Sequence, residues 1–371
     1  MLQTPTPIGI IGCGNISGAY AKACATFHDI RLVAVADIDL TRAKNKAAEY
    51  GIAEALSVDE ILAHPEIKIL VNLTIPVAHA SVATQILNAG KSAYNEKPLG
   101  VSLQDGQNLI ELASKKGLRI GCAPDTFLGA GLQTCRKLID DGVIGRPLAA
   151  TAFMLSAGAE RWHPDPEFFY QIGGGPMFDM GPYYLTALVS LLGPVKRVAG
   201  MTSKSFAERT IGSGPKLGQK ISVTVPTHVT GTLEFQAGQV ATMITSFDVQ
   251  SHQLPWIEIY GSEGTLAVPD PNMFGDPVRF RPKGEKEFQV IPHTHGYSEN
   301  SRGIGVADMA VAIELGRNHR ASGDLALHVL ELMHAFHISS DSGEYYTLKS
   351  TAERPAPLPL GLSPGEVELA Q

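Results

Sequence analysis

Ile8-Gly9-Ile10-Ile11-Gly12-Cys13-Gly14-Asn15-Ile16-Ser17 is the stretch that decides the fold. A short apolar run stops at Gly12, and helical patterning follows from about Ile16 to Phe27. A glycine-rich turn between a buried strand and a helix presents backbone N–H groups at the positive end of a helix dipole. A pyrophosphate can approach there if side chains do not obstruct it. Gly12 permits the turn and Gly14 permits the approach. The third place of the G-x-G-x-x-G spacing is Ser17, with Gly18 one residue later, and a small residue there still lets helix and strand pack closely. Glycine-rich turns are common, so the surrounding pattern has to carry the reading.

That pattern is an alternation of apolar strands and helices. Leu32–Ala36 is a continuous apolar run and Ile67–Leu73 a third buried strand, followed by short strands at Ser92–Asn95 and Arg119–Ala123. Helices are predicted over Thr41–Tyr50, after Ser57, over Ala78–Ala89 and over Leu103–Lys116. Ser57-Val58-Asp59-Glu60 has capping-box spacing, and Gly90 and Gly117 are natural stops. Continuous apolar strands separated by helices imply a parallel sheet covered on both faces. Asp37 ends the second strand, about 20 residues beyond the glycine loop, where a carboxylate accepts from adenosine ribose hydroxyls. Its charge disfavours a 2′-phosphate, so NAD is expected before NADP. The plainer alternative is a strand-end Asp that caps the next helix.

After about Thr126 the period changes. A helix over Leu128–Asp140 leads to strands with two-residue alternation, such as Val229, Gly231, Leu233 and Phe235. Alternation of this kind indicates a sheet with two unlike faces, so an antiparallel one is expected. Helices over Gly303–Leu315 and Leu325–Ile338 close the fold, and Arg354-Pro355-Ala356-Pro357-Leu358-Pro359 opens an extended tail. The organisation predicted is a dinucleotide-binding part over 1–125, a substrate and assembly part over 126–355, and a tail over 356–371. The fold class is α/β, a doubly wound parallel sheet followed by an α+β part with a large, mostly antiparallel sheet.

Of 371 residues, 44% are apolar and 18% charged, which suits folded cores rather than disorder. Lys+Arg is 30 and Asp+Glu is 37, a formal net charge of −7. Without a basic patch that balance argues against nucleic acid as a partner. No run of about 18 apolar residues suggests a membrane span. Met1-Leu2-Gln3-Thr4-Pro5 carries no basic stretch leading into an apolar one, so no secretory leader is expected. Cys13, Cys24, Cys122 and Cys135 lack metal or disulfide spacing, which fits a reduced, cytoplasmic protein.

Asn95-Glu96-Lys97-Pro98 follows the strand at Ser92–Asn95. A lysine at the carboxyl end of a parallel strand faces the ligand crevice. Beside a nicotinamide, its ammonium donates to a substrate oxygen and lowers the pKa of a neighbouring acid. An exposed loop lysine is the alternative on position alone.

The chain resembles the glucose–fructose oxidoreductase / inositol dehydrogenase (Gfo/Idh/MocA) family of NAD(P)-dependent oxidoreductases. The resemblance runs from Gly9 to about Pro355. It rests on the glycine loop, Ala36-Asp37-Ile38-Asp39, Glu96-Lys97-Pro98, Gly173-Gly174-Gly175-Pro176-Met177-Phe178-Asp179-Met180-Gly181 and Gly261-Ser262-Glu263-Gly264-Thr265. It implies a catalytic lysine at Lys97 and a homodimer or homotetramer joined through the large sheet. It also implies cofactor contacts at Gly12, Gly14, Asn15, Ile16, Asp37, Thr74, Pro76, His79, Glu96 and Lys97.

Asp179 and Tyr183 stand four apart on a predicted helix and so share a face. Many relatives carry His where this chain has Tyr183, and a minority branch uses Tyr as the acid/base. Its reference pKa is about 10 rather than about 6.5. A nearby ammonium at Lys97 is therefore expected to lower it. The substrate set expected is Lys97, Asp179 and Tyr183, with Asp125, Trp162 and His163 as further contacts. Asp125 stands in a segment where many relatives have Asn and Arg, and Trp162-His163 precedes the glycine run as a pocket wall. His79 is equally readable as a structural helix-end residue. His293-Thr294-His295 has metal-like spacing without a third ligand, so no metal is expected. His328, His334 and His337 read as a polar helix face. The activity implied is reversible oxidation of a secondary hydroxyl on a sugar, sugar derivative or cyclic polyol. The rival readings are a redox-neutral NAD-dependent glycosidase and a dinucleotide sensor without turnover.

Overall fold

The computed structural model describes residues 2–369; Met1 and residues 370–371, the outer ends of the first and last expected segments, lie outside the described residues. Up to Cys122 the strands are β1 (Thr6–Ile11), β2 (Ile30–Ala36), β3 (Glu54–Leu56), β4 (Ile69–Asn72), β5 (Ser92–Asn95) and β6 (Ile120–Cys122). Between them run α1 (Ser17–Cys24), α2 (Leu40–Tyr50), α3 (Val58–Ala63), α4 (His79–Asn88) and α5 (Leu103–Lys116). The strands form one sheet in the order β3-β2-β1-β4-β5-β6, parallel throughout. Ile8, Ile10, Ile69, Leu70 and Val71 are fully buried, because helices cover both faces. The strand order reverses between β1 and β4, and a ligand crevice opens beyond the carboxyl ends of the strands there. Local signals act as read: Ser57 and Glu60 form a reciprocal capping box before α3, and α5 stops at Gly117 with φ 64°.

The second half contains α6 (Ala130–Asp140), β7 (Pro147–Leu155), α7 (Gly175–Leu192) and β8 (Val195–Ser203). A small ribbon follows, β9 (Glu208–Thr210) with β10 (Lys220–Ser222). Then come β11 (His228–Phe235), β12 (Val240–Ser246), β13 (Ile257–Gly261), β14 (Gly264–Val268), β15 (Val278–Pro282) and β16 (Gln289–Ile291). The chain ends with α8 (Ile304–Glu314), α9 (Gly323–Ser342) and β17 (Tyr346–Thr347). Nine strands make one sheet, β16-β15-β14-β13-β7-β12-β11-β8-β17, antiparallel except where β12 meets β7. Val229, Leu233 and Phe235 are buried against the helices, while Met201, Thr232, Val240 and Thr242 face outward.

Helix α9 joins the two halves, packing on β8, α7 and α5. It crosses the sheet where Gly200 of β8 pairs with Gly231 of β11. A Cβ at Gly200 would lie 2.5 Å from the Phe336 carbonyl oxygen, and one at Gly231 would lie 2.8 Å from the Phe336 ring. Helix backbone cannot retreat from a strand without losing contact along its length. Gly200→Ala is therefore expected to cost about 1–3 kcal/mol, as other overpacked cores do. A urea melt in which the variant keeps the wild-type midpoint would contradict this account.

The histidines of α9 do not form the expected polar face. His328 is fully buried, with Nε2 accepting from Val195 N at 3.1 Å. The proline-rich tail has neither helix nor strand, yet Leu358 and Val367 are buried and Leu358 N donates to Gln133 Oε1 at 2.7 Å. The rings of His293 and His295 contact the backbone carbonyls of Asp276 and Leu358, and His295 Nδ1 also meets the Thr294 hydroxyl. Among the described residues no cluster of three or more His, Cys, Asp or Glu is placed to hold a metal ion. No described helix is long and apolar enough to cross a membrane.

Candidate active site

The glycine loop leaves β1 at Gly12, whose φ is 104° and whose Cβ would sit 2.7 Å from the Leu73 carbonyl. Both the backbone and the neighbouring turn therefore demand glycine. A Cβ at Gly14 would meet nothing within 4 Å, and Asn15 beside it is exposed. Gly14 is thus not needed for internal packing; the space it leaves lies outside the protein, as a diphosphate cradle requires. The close packing expected at Ser17 falls instead on Gly18, where a Cβ would lie 2.4 Å from the Tyr50 hydroxyl. Ser17 Oγ donates to the Gly14 carbonyl at 2.7 Å.

Asp37 is not the cap of α2. That role belongs to Asp39, which accepts from Thr41 N at 2.9 Å. Asp37 instead accepts from Cys13 N at 2.7 Å and Asp39 N at 2.9 Å, one bond to each oxygen. A carboxylate has about four acceptor sites, so both oxygens keep capacity for ribose hydroxyls. These residues fit a dinucleotide.

Two buried asparagines fasten the loops at the crevice. Asn72 donates to Asn95 Oδ1 at 3.1 Å and to the His79 carbonyl at 3.0 Å, and accepts from the Thr74 hydroxyl at 2.6 Å. Asn95 donates to the Leu99 carbonyl at 3.1 Å. Thr74 and Pro76 line the resulting cavity. His79 also reaches its wall, but its ring is buried between the Pro98 and Thr74 carbonyls, at 2.7 and 3.0 Å. Burial holds it below the ordinary histidine pKa, and its work is to fix the two loops. Glu96 is similarly committed, accepting from the Tyr20 hydroxyl at 2.9 Å and Lys97 N at 2.8 Å.

Lys97, just past β5, reaches across to α7. Its Nζ donates to Asp179 Oδ1 at 2.9 Å and to the Asp179 carbonyl at 2.6 Å, and lies 5.3 Å from the centre of the Tyr183 ring. Pro182 lies inside α7 and has no N–H for the Phe178 carbonyl. The ammonium reaches the carbonyl of Asp179, one residue on, in the turn that lacks this bond. Lys97, Asp179 and Tyr183 thus share one cavity of about 310 Å³ between the halves, with Ile16 on the opposite side.

Burial works against the Lys97 charge, but Asp179, Tyr183 and Glu96 outweigh it and hold its pKa above the ordinary lysine value. The outcome for Tyr183 differs from the expectation. Burial pushes its hydroxyl up, and the opposing pull of Lys97, joined by Arg302, does not offset that rise. Lys97 acts in the predicted direction without bringing the phenol below its reference value.

The further substrate contacts do not join this group. Asp125 is buried away from the cavity, its Oδ2 accepting from Gly303 N at 2.8 Å and Gly305 N at 3.1 Å. Burial raises its pKa to about 6. It caps the start of α8, and nothing in the sequence around Pro124-Asp125 announced that distant partner. Trp162 is 67% exposed on an outer loop, and His163 packs edge-on against Phe168 and Phe169. The wall is built by Phe168, Phe169 and Phe178 instead. Arg302, the cation behind Tyr183, is held by Asn272 Oδ1 at 2.7 Å. No local pattern around Asn300-Ser301-Arg302-Gly303 marks it.

Comparison with known proteins agrees with this geometry. Residues 6–123 match a family model described as an oxidoreductase family with an NAD-binding Rossmann fold, and residues 132–267 match a GFO/IDH/MocA C-terminal domain. An inositol 2-dehydrogenase of Rhizobium meliloti (strain 1021) is 26% identical over 88% of this chain and 94% of its own length. A D-glucoside 3-dehydrogenase of Escherichia coli (strain K12) is 27% identical over 67% of this chain and 72% of its own. The solved levoglucosan dehydrogenase complex with NADH and levoglucosan has the same fold, with a TM-score of 0.78 and 20% identity over 93% of this chain and 99% of that one.

Proposed function

Because the chain belongs to the GFO/IDH/MocA family of NAD-binding oxidoreductases, we propose that it oxidises, reversibly, a secondary hydroxyl of a sugar, sugar derivative or cyclic polyol. The observation that carries this reading is the meeting of Lys97 with Asp179, beside Tyr183, in a cavity next to a dinucleotide cradle. NAD, when bound, accepts the hydride from the substrate carbon. Tyr183 takes the hydroxyl proton as general base, and returns it as acid in the reverse direction. Lys97 donates to the substrate oxygen as negative charge grows on it. Asp179 holds the ammonium in place and orients the hydroxyl. Asp37 sets NAD before NADP, since a 2′-phosphate would meet a half-satisfied carboxylate.

In this reading the dinucleotide part spans 1–125 and the substrate part 126–355. The outward face of the large sheet, with Met201 73% and Val240 49% exposed, is the contact surface of a homodimer or homotetramer. Four buried, free cysteines suit the reducing cytoplasm. The test is a panel of sugars and inositols incubated with NAD or NADP and followed by dinucleotide reduction. Steady reduction with at least one of them is the expected result. Bond cleavage of a glycoside without net reduction would replace this reading with a redox-neutral one.

A further inference from the structure

Three phenylalanines and two glycines make up most of what the second half of the chain contributes to the cavity wall. Phe168, Phe169 and Phe178 stand there, and the polar side chains beside them are Asp179 and Tyr183 alone. Both of those are committed to the reacting hydroxyl. Of the polar groups close by, Gln171 Nε2 donates to the Ser222 carbonyl, and Arg302, held by Asn272, turns to the Tyr183 hydroxyl at the reacting end. A polyol ring carries several further hydroxyls, and each one placed against a phenyl face loses its water without gaining a partner.

The rim continues in the same character. Ile75 and Val77, flanking the cavity residue Pro76, are 66% and 64% exposed. Ile172, next to the cavity residue Gly173, is 77% exposed. Large aliphatic side chains held in water next to cavity-lining residues mark a surface that is covered when ligand binds. The cavity, about 310 Å³, is small for a ligand site. It leaves little room beyond a reacting ring, so a substituent on that ring comes to lie on this rim.

Resting on the dehydrogenase reading, we infer that the substrate is a cyclic alcohol bearing an aromatic or alkyl substituent, an aryl glycoside in place of a free sugar. The reacting carbinol sits between Lys97 and Tyr183, and the aglycone lies over Phe168 and out against Ile172 and Val77. Sugar rings also stack on aromatic faces, but stacking uses one face and leaves the hydroxyl edges in need of donors that this wall does not supply.

The experiment compares kcat/KM for phenyl and methyl β-glycosides of glucose, galactose and xylose, with NAD saturating. The phenyl member is expected to be favoured by about tenfold or more. Phe168→Ser and Ile172→Asn are each expected to shrink that ratio toward unity, and two separate variants guard against one misfolding. Equal or reversed preference, or oxidation of free polyols but no glycoside, overturns the inference and leaves the dehydrogenase reading standing. Absence of dinucleotide reduction with every glycoside and every polyol overturns both.

Discussion

Replacing Lys97 by alanine is expected to lower turnover by about a thousandfold while dinucleotide affinity stays close to that of the native chain. The ammonium donates twice to Asp179 and lies over Tyr183, so its removal takes away the donor for the developing alkoxide and the cation beside the base. Loss of a single such donor typically costs about 10²–10³ in rate, and impaired proton transfer adds to that. Asp179 is also left half-buried without its counterion. The glycine loop and Asp37 belong to other turns of the sheet, so titration with NAD serves as the control for folding. Near-native turnover in Lys97→Ala would remove the mechanism; lost NAD binding would instead point to a cofactor role for the lysine.

Tyr183→Phe is expected to lower alcohol oxidation by about 10²–10⁴, the range for loss of a positioned general acid–base. Its pH profile carries the sharper test. The Tyr183 hydroxyl is held above its ordinary value, because burial outweighs the pull of Lys97 and Arg302. Oxidation needs the phenolate, so the native rate should climb as pH rises through the alkaline range. Ketone reduction needs the phenol, so it should hold near neutrality and fall only as the same group ionises. Phenylalanine cannot ionise, and both limbs should flatten in the variant. A native profile with no alkaline rise, or an identical rise in Tyr183→Phe, would assign the base to another group.

Different kinds of information made different parts of this molecule legible. Ile8–Ile11 and Ile69–Val71 announce buried parallel strands, because helices on both faces let successive side chains be apolar. Ser57 and Glu60 announce a helix start because their bonds close within four residues. Lys97 is found from its place after a strand, since crevice position follows from the sheet direction. Asp125 and Trp162 could not be placed from sequence for the opposite reason. A carboxylate or an indole has the same chemistry wherever it points, and the partners of Asp125 lie at Gly303 and Gly305. His328 read as surface because helical spacing alone cannot report that the bond it receives comes from Val195.

Taken alone, the order of residues determined the doubly wound half, its dinucleotide loop and the pairing of Asp179 with Tyr183 on one helix face. These depend on backbone periods and spacings of a few residues. Only the tertiary structure decided that Lys97 would meet Asp179, that phenylalanines would wall the cavity, and that Tyr183 would stay difficult to ionise. Those outcomes turn on which groups from distant segments exclude water from one another, and desolvation is a property of the assembled surroundings rather than of any residue's neighbours along the chain.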